Sequence, residues 1–209
     1  MPDRTVRDFP LFPLPLVALP HELVPLHIFE ARYRAMFEEL LERDSEFGIV
    51  WAGSSDLRRV GCACEITEVL ERMDDGRLNV LTRGTRPFRI VEHRPDRPYP
   101  RATVEFLEDK REEPDEDVAA AARSAYADLV MQATDQEPDP DEVAVKGAYE
   151  MAATVDFGLD AKQGLLDLRS ESARLALAAR LFRAALKRLD FVERAQARAR
   201  SNGRVRFPG

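Results

Sequence analysis

The sequence predicts an α+β protein, with a β-rich N-terminal part carrying one amphipathic helix and a C-terminal part built from helices alone. Before residue 110, apolar residues alternate with polar ones at period two in several short runs, the pattern of half-buried strands. One stripe at helical spacing interrupts those runs. After Lys110 the chain turns acidic, meets Pro114 and then carries helix start signals without a strand pattern. These shifts divide the chain into a β-rich subdomain over 1–112, a helical bundle over 113–200 and a flexible basic tail over 201–209.

Phe9–Leu14, Val17–Leu19 and Val24–Leu26 read as short strands, and prolines at 10, 13, 15, 20 and 25 confine them to edge or irregular positions. Leu26, Phe29, Tyr33, Met36, Phe37, Leu40 and Leu41 then recur at helical spacing, with Glu30, Arg32, Arg34, Glu38 and Glu39 on the other side. Period two returns in Phe47, Ile49 and Trp51, and again in Val60, Cys62, Cys64 and Ile66. Asp74, Asp75 and Gly76 form a hairpin turn, because Asp and Gly tolerate the positive φ it demands. Leu78–Leu81 return from it, and Ala102, Val104 and Phe106 supply a last strand.

The helices have mechanistic start signals. Asp115 caps one running to about Ala133, and Asp139, Pro140 and Glu142 supply a cap, a first-turn proline and a third-position carboxylate for the next. Asp160 and Gln163 repeat that arrangement before a short helix bearing Leu165 and Leu166. Ser170 opens the longest, in which Leu175, Ala178, Phe182, Ala185, Leu189 and Val192 form a stripe for burial.

Composition narrows the function classes. The chain has 209 residues and no window apolar enough for a membrane span. Asp3, Arg4, Arg7 and Asp8 interrupt any secretory signal, and Cys62 and Cys64 are too few and too close for a disulfide framework. A cytoplasmic location is therefore expected. The net charge of −7 is unevenly spread: residues 1–111 sum to −3, residues 112–168 to −12 and residues 169–209 to +8. Segments of opposite sign attract, so the basic end is expected to pair with the acidic middle and to need no outside partner.

Specific words also accumulate: Phe9-Pro10-Leu11-Phe12-Pro13-Leu14, Leu19-Pro20, Pro25-Leu26-His27-Ile28-Phe29-Glu30 and Arg32-Tyr33-Arg34. Together they resemble the Lon N-terminal domain, also called the Lon substrate-binding domain. Phe47-Gly48-Ile49-Val50, Val60-Gly61, Asp75-Gly76-Arg77, Gly84, Phe88-Arg89-Ile90 and Gln163-Leu165-Leu166 extend the likeness over most of the chain. The resemblance implies a PUA-like pseudobarrel followed by a helical bundle, in a stand-alone bacterial type without the ATPase and protease parts. It also implies structural roles for Pro25, His27, Phe29, Glu30, Arg32, Tyr33, Gly48, Gly61 and Gly84. Three positions depart from the family pattern. His21 stands where a glycine often follows the proline, which puts the turn geometry in question. Ala31 replaces a usual proline, and Pro87 replaces an arginine, so any contact that arginine makes falls here to Arg86 or Arg89, or is missing.

Catalytic chemistry is not legible. A Lon ATPase needs a phosphate-cradling glycine loop ending in Gly-Lys-Ser or Gly-Lys-Thr, and no Gly-Lys pair occurs. Lys110, Lys146, Lys162 and Lys187 lack a partner serine in a protease context, so no Ser-Lys dyad is expected. Cys62 and Cys64 share a strand face and can offer two thiolates to a metal, but small cysteines alternating with Val60 and Ile66 fit a core better. His27 reads as a structural hydrogen-bonding residue. The carboxylate runs at 115–117 and 139–142 suit helix starts and lack the glycine and spacing of a calcium loop. No cofactor or metal is expected.

These readings converge on a non-catalytic polypeptide-binding module for unfolded or apolar segments, or for an adaptor, as the resemblance implies. Its contact surface is expected on the barrel or in the crevice between the two parts. Trp51, Arg86, Phe88 and Tyr99 are the candidate contacts, because aromatic and arginine side chains give large contact energy for little ordering cost; core packing is the competing role, above all for Phe88. RNA binding is the alternative, through Arg194, Arg198, Arg200, Arg204 and Arg206. Against it, residues 1–111 are net negative and show no basic cluster interleaved with aromatics.

Overall fold

The computed structural model describes residues 5–53, 57–94 and 98–202, with residues 197–202 described by their backbone alone. Arg204, Arg206 and Phe207 of the expected tail, and the side chains of Arg198 and Arg200, lie outside that description. The elements are β1 (Thr5–Leu14), β2 (Leu23–Ile28), α1 (Ala31–Arg43), β3 (Phe47–Trp51), β4 (Val60–Arg72), β5 (Leu78–Arg94), β6 (Arg101–Phe106), α2 (Glu116–Thr134), α3 (Pro140–Ala144), α4 (Ala148–Ala152), α5 (Leu159–Asp167) and α6 (Glu171–Asn202). Among the described residues, no helix is long and apolar enough to cross a membrane.

The strands form one mixed sheet in the order β2-β5-β4-β3-β1-β6, and β6 also pairs with β5. Strands β5, β4, β3, β1 and β6 therefore make a closed circuit of hydrogen-bonded neighbours, with β2 attached to the first half of β5. The prolines of β1 sit inside this circuit, not at an edge. They are tolerated because the strand is paired on one side at a time: Thr5–Pro10 face β6, and Leu11–Leu14 face β3. Pro25 lies in β2, which does end the sheet.

The structure departs from the apolar pattern at three places. Val17–Leu19 is no strand; it is a buried connection whose apolar residues meet the core without pairing. Leu26 belongs to β2 and Phe29 precedes α1, 60% exposed, so the helical stripe begins only at Tyr33 and buries Met36, Phe37 and Leu40 with it. In β4, Gly61, Cys62, Ala63 and Cys64 are all buried, so this stretch is covered on both faces and not half-exposed.

Residues group by contact into two compact units, Met1–Glu112 with Tyr149–Glu171, and Glu113–Ala148 with Ser172–Gly209. The helical region expected over 113–200 is thus divided, and α4 and α5 accompany the sheet. In the first unit, one face of β1 places Phe9 and Leu11 in a cluster with Val50, Ala63, Phe88, Ile90, Ala102 and Val104. On its other face Phe12 packs on α1, its ring 4.4 Å from Tyr33 and 5.6 Å from Phe37. Gln163 of α5 donates to the Val60 carbonyl at 3.2 Å and to Asp167 at 2.8 Å, so it bridges to the sheet and does not cap its helix. The N-cap of α5 is Gly158, with Asp160 in the first turn.

In the second unit, Asp115 accepts from the backbone N–H groups of Asp117 and Val118, and Asp139 from that of Asp141, so both predicted caps form. Tyr126 of α2 meets Phe182 of α6 at 5.4 Å. The α6 stripe buries Leu175, Ala178 and Phe182, but its end emerges: Val192 is 42% exposed and the neighbouring Phe191 73%. Arg194 pairs with Asp190 of its own helix at 3.9 Å and, among the described residues, with no carboxylate of the acidic segment, unlike the expectation.

Candidate functional site

A cleft of about 300 Å³ lies in the first unit where β1, β6 and the C-terminal turn of α1 meet. Its apolar lining is Val6, Phe9, Pro10, Leu40 and Phe106, and its polar lining includes Arg7, Asp8, Glu39, Arg43, Glu46, Arg86, Tyr99 and Arg101. Two local features shape it. The β1–β6 ladder slips between Val6 and Phe9, and in that bulge Asp8 takes the left-handed conformation, φ 56°. Such bulges re-aim the backbone beside sites; here the Asp8 carbonyl accepts from Arg101 at 3.2 Å. Then α1 ends at Asp44, also left-handed at φ 48°, which carries the chain from Arg43 into Ser45 and Glu46 at the cleft.

Glu39 organises one side. Its Oε2 accepts from Arg101 at 2.8 Å and from the Tyr99 hydroxyl, and its Oε1 pairs with Arg43 at 2.9 Å. Arg101 also donates to the Tyr99 oxygen, and its guanidinium stands 4.6 Å from the centre of that ring. The Arg101 side chain is only 11% exposed. On the other side Glu46 accepts from Thr85 at 2.6 Å and from Arg86 at 2.8 Å. The Arg86 guanidinium lies 3.7 Å from the centre of the Phe106 ring, a cation–π contact that presents its planar face with its charge. The result is an apolar wall rimmed by fixed guanidinium groups, an arrangement suited to holding a ligand by contact and hydrogen bond.

Of the four expected contact residues, the cleft brings Arg86 and Tyr99 together. Phe88 is corrected to a core residue: it is fully buried, edge-on to Phe9 at 5.5 Å, and cannot reach a ligand. Trp51 stands apart from the cleft, half-buried at the end of β3 with the Arg58 guanidinium 4.9 Å from its ring. Glu39, Glu46 and Arg101 were not singled out by sequence. The Glu39–Arg43 pair is readable from its four-residue helical spacing, but Arg101 meets Glu39 across 62 residues, which no local pattern reports.

Of the family-word residues, His27, Glu30 and Arg32 lie apart from the cleft and make contacts of their own. His27 Nδ1 lies 2.6 Å from Asn79 Oδ1, Asn79 donates to Glu71 at 2.7 Å, and the His27 ring stacks on Phe29 at 5.8 Å. The Glu30 carbonyl accepts from the N–H groups of Tyr33 and Arg34 at the start of α1, and its carboxylate pairs with Arg32 at 2.8 Å. Tyr33 is buried, which raises its hydroxyl pKa. Gly84 is required by close approach, since a methyl there would strike the Leu19 carbonyl. Opposite it His21 does adopt positive φ, 68°, in the turn where the sequence raised that question. Arg89, the other substitute for the arginine replaced by Pro87, pairs with Glu105 at 2.6 Å outside the cleft.

Cys62 and Cys64 are fully buried free thiols. Burial first, and the hydrogen bond with Cys64 second, push the Cys62 thiol well above its usual pKa. A protonated, enclosed thiol is a poor metal ligand. Among the described residues, no group of three or more His, Cys, Asp or Glu side chains gathers to hold an ion.

Comparison with known proteins agrees with this architecture. The family model for the ATP-dependent protease La (LON) substrate-binding domain matches residues 8–183. Lon protease of Flavobacterium johnsoniae is 24% identical over 155 residues, which cover 69% of this chain and 19% of that protein. Lon protease 2 of Myxococcus xanthus is 25% identical over 186 residues, covering 80% and 22%. The chain thus spans about a fifth of the length of these curated relatives. The crystal structure of a Lon N-terminal domain protein from Xanthomonas campestris superimposes with a TM-score of 0.62 at 23% identity, over 81% of this chain and 95% of that one. The N-terminal domain of Mycobacterium avium complex Lon protease gives 0.63 at 19% identity, over 84% and 98%. Identities this low establish a shared fold.

Proposed function

The chain belongs to the ATP-dependent protease La (LON) substrate-binding domain family, and from that membership we propose that it is a non-catalytic, cytoplasmic module that binds unfolded or apolar polypeptide segments, or an adaptor that presents them. In this reading the closed strand circuit is a PUA-like pseudobarrel and the helices of the second unit are its accompanying bundle. The carrying observation is the cleft: an apolar wall of half-buried Val6, Pro10 and Phe106 beside fixed Arg86, Tyr99 and Arg101. Extended chains present apolar side chains and backbone carbonyls together, and this lining meets both, the first by contact and the second by guanidinium N–H donors. Trp51 with Arg58 supplies a second aromatic contact along the sheet.

The test is a fluorescence-anisotropy titration of the protein against a labelled unfolded polypeptide and a labelled single-stranded RNA, each at low and moderate salt. Saturable, salt-tolerant binding of the polypeptide is expected, weakened about tenfold by Arg86→Ala. Binding of RNA alone, lost as salt rises, would overturn the proposal in favour of phosphate recognition.

A further inference from the structure

We propose that the cleft selects segments bearing a carboxylate, an inference that rests on the polypeptide-binding reading above. The balance of donors and acceptors around the cleft carries it. Its carboxylates are already engaged: Glu39 with Arg101 and Arg43, Glu46 with Arg86, and Asp8 with Arg94 at 3.7 Å. Glu39 accepts a further bond from Tyr99, and Glu46 from Thr85. The open capacity lies with the donors. Arg7 is exposed at the cleft without an ion-pair partner among the described residues. The Nε–H of Arg101 is buried with no acceptor. Arg43 and Arg86, with side chains 68% and 52% exposed, keep further N–H groups of their guanidinium forks uncommitted.

A ligand entering this cleft therefore meets surplus donors and surplus positive charge, four arginines against three carboxylates. A carboxylate, with two oxygens that accept from a planar guanidinium, matches both. An ammonium or amide donor would find Glu39 and Glu46 occupied, leaving it Asp8 alone, which faces Arg94 across 3.7 Å. The preference must be local, because the chain as a whole carries −7 and its long-range field repels acidic ligands. The same chemistry is offered by an Asp or Glu side chain and by a free C-terminal carboxylate.

Three labelled peptides of one extended, apolar sequence separate these sources: one with a central Glu and an amidated end, one with Gln and an amidated end, and one with Gln and a free C-terminal acid. Titrated by anisotropy against the full chain, at least one carboxylate form is expected to bind about tenfold tighter than the neutral peptide. Whether the Glu or the free-acid peptide gains identifies the source. Arg7→Glu, an exposed change whose folding is checked by circular dichroism, is expected to bring that ratio near one. Equal affinity for all three peptides overturns carboxylate selection and leaves polypeptide binding standing. No binding of any of them overturns both readings. A preference that survives in both Arg7→Glu and Arg86→Ala places the carboxylate elsewhere and overturns the assignment to this cleft.

Discussion

At residue scale, the turn at His21 shows how a family departure becomes a physical cost. The Leu19 carbonyl accepts from the Glu22 N–H at 3.1 Å around Pro20 and His21, a four-residue turn with proline at its second position and positive φ at its third. That third position favours glycine, because a Cβ crowds the backbone there. The turn is nonetheless held in place: His21 N–H donates to the Gly84 carbonyl, Gly84 N–H to the Glu22 carbonyl, and the Glu22 side chain binds Lys162. His21→Gly is therefore expected to stabilise the fold by about 0.5–1 kcal/mol, measured as a higher urea midpoint with unchanged slope. Cys62 gives a second expectation. Its folded pKa is raised, so the folded state keeps a proton that the unfolded thiol releases. The associated stability is present below the ordinary thiol pKa and is lost as pH rises through the folded value. Unfolding midpoints taken between pH 7 and pH 10 should fall with pH, and Cys62→Ala should flatten that slope. A slope that Cys62→Ala leaves unchanged would assign the effect to other groups, such as buried Tyr33.

At the scale of elements, the features legible in the sequence are those with a local cause. The caps at Asp115 and Asp139 depend on side chains reaching N–H groups two or three residues on, and both were legible. So was the Asp74–Gly76 turn, with Gly76 at φ 82° and Arg77 bound to Asp75. Where burial and not pairing drew in an apolar run, as at Val17–Leu19, the pattern misled. The prolines misled for a related reason: a strand whose two halves face different neighbours leaves room for residues without an N–H, and only the three-dimensional register reveals it. The cap of α2 can be tested directly. Asp115→Ala removes the acceptor for two backbone donors and is expected to destabilise by about 1 kcal/mol, read from denaturant unfolding followed by helical circular dichroism. No measurable change would mean that water replaces the cap at no cost.

For the whole molecule, the composition shift near residue 112 was legible, whereas the membership of α5 was not, because it is held by contacts more than a hundred residues apart. Gln163 reaches the Val60 carbonyl, and Lys162 pairs with Glu22 where both side chains are nearly enclosed, 12% and 15% exposed. Leu165 and Leu166 are buried in the same helix. Candidate-site legibility follows the same rule: Arg86 and Tyr99 were found by residue type, but their partners Glu46 and Glu39 lie 40 and 60 residues away in sequence. A fragment ending at residue 112 would keep all six strands and lose every one of the α5 contacts. It would expose the apolar surface that Leu165 and Leu166 cover and leave Glu22 without its cation. The prediction is that residues 1–112 alone unfold at markedly lower urea than the full chain, or aggregate, and that supplying residues 149–171 through a flexible linker restores a cooperative transition. If the 1–112 fragment unfolds as cooperatively and at the same urea concentration as the sheet of the full chain, α5 is an ornament on the strand circuit and not part of what holds it closed.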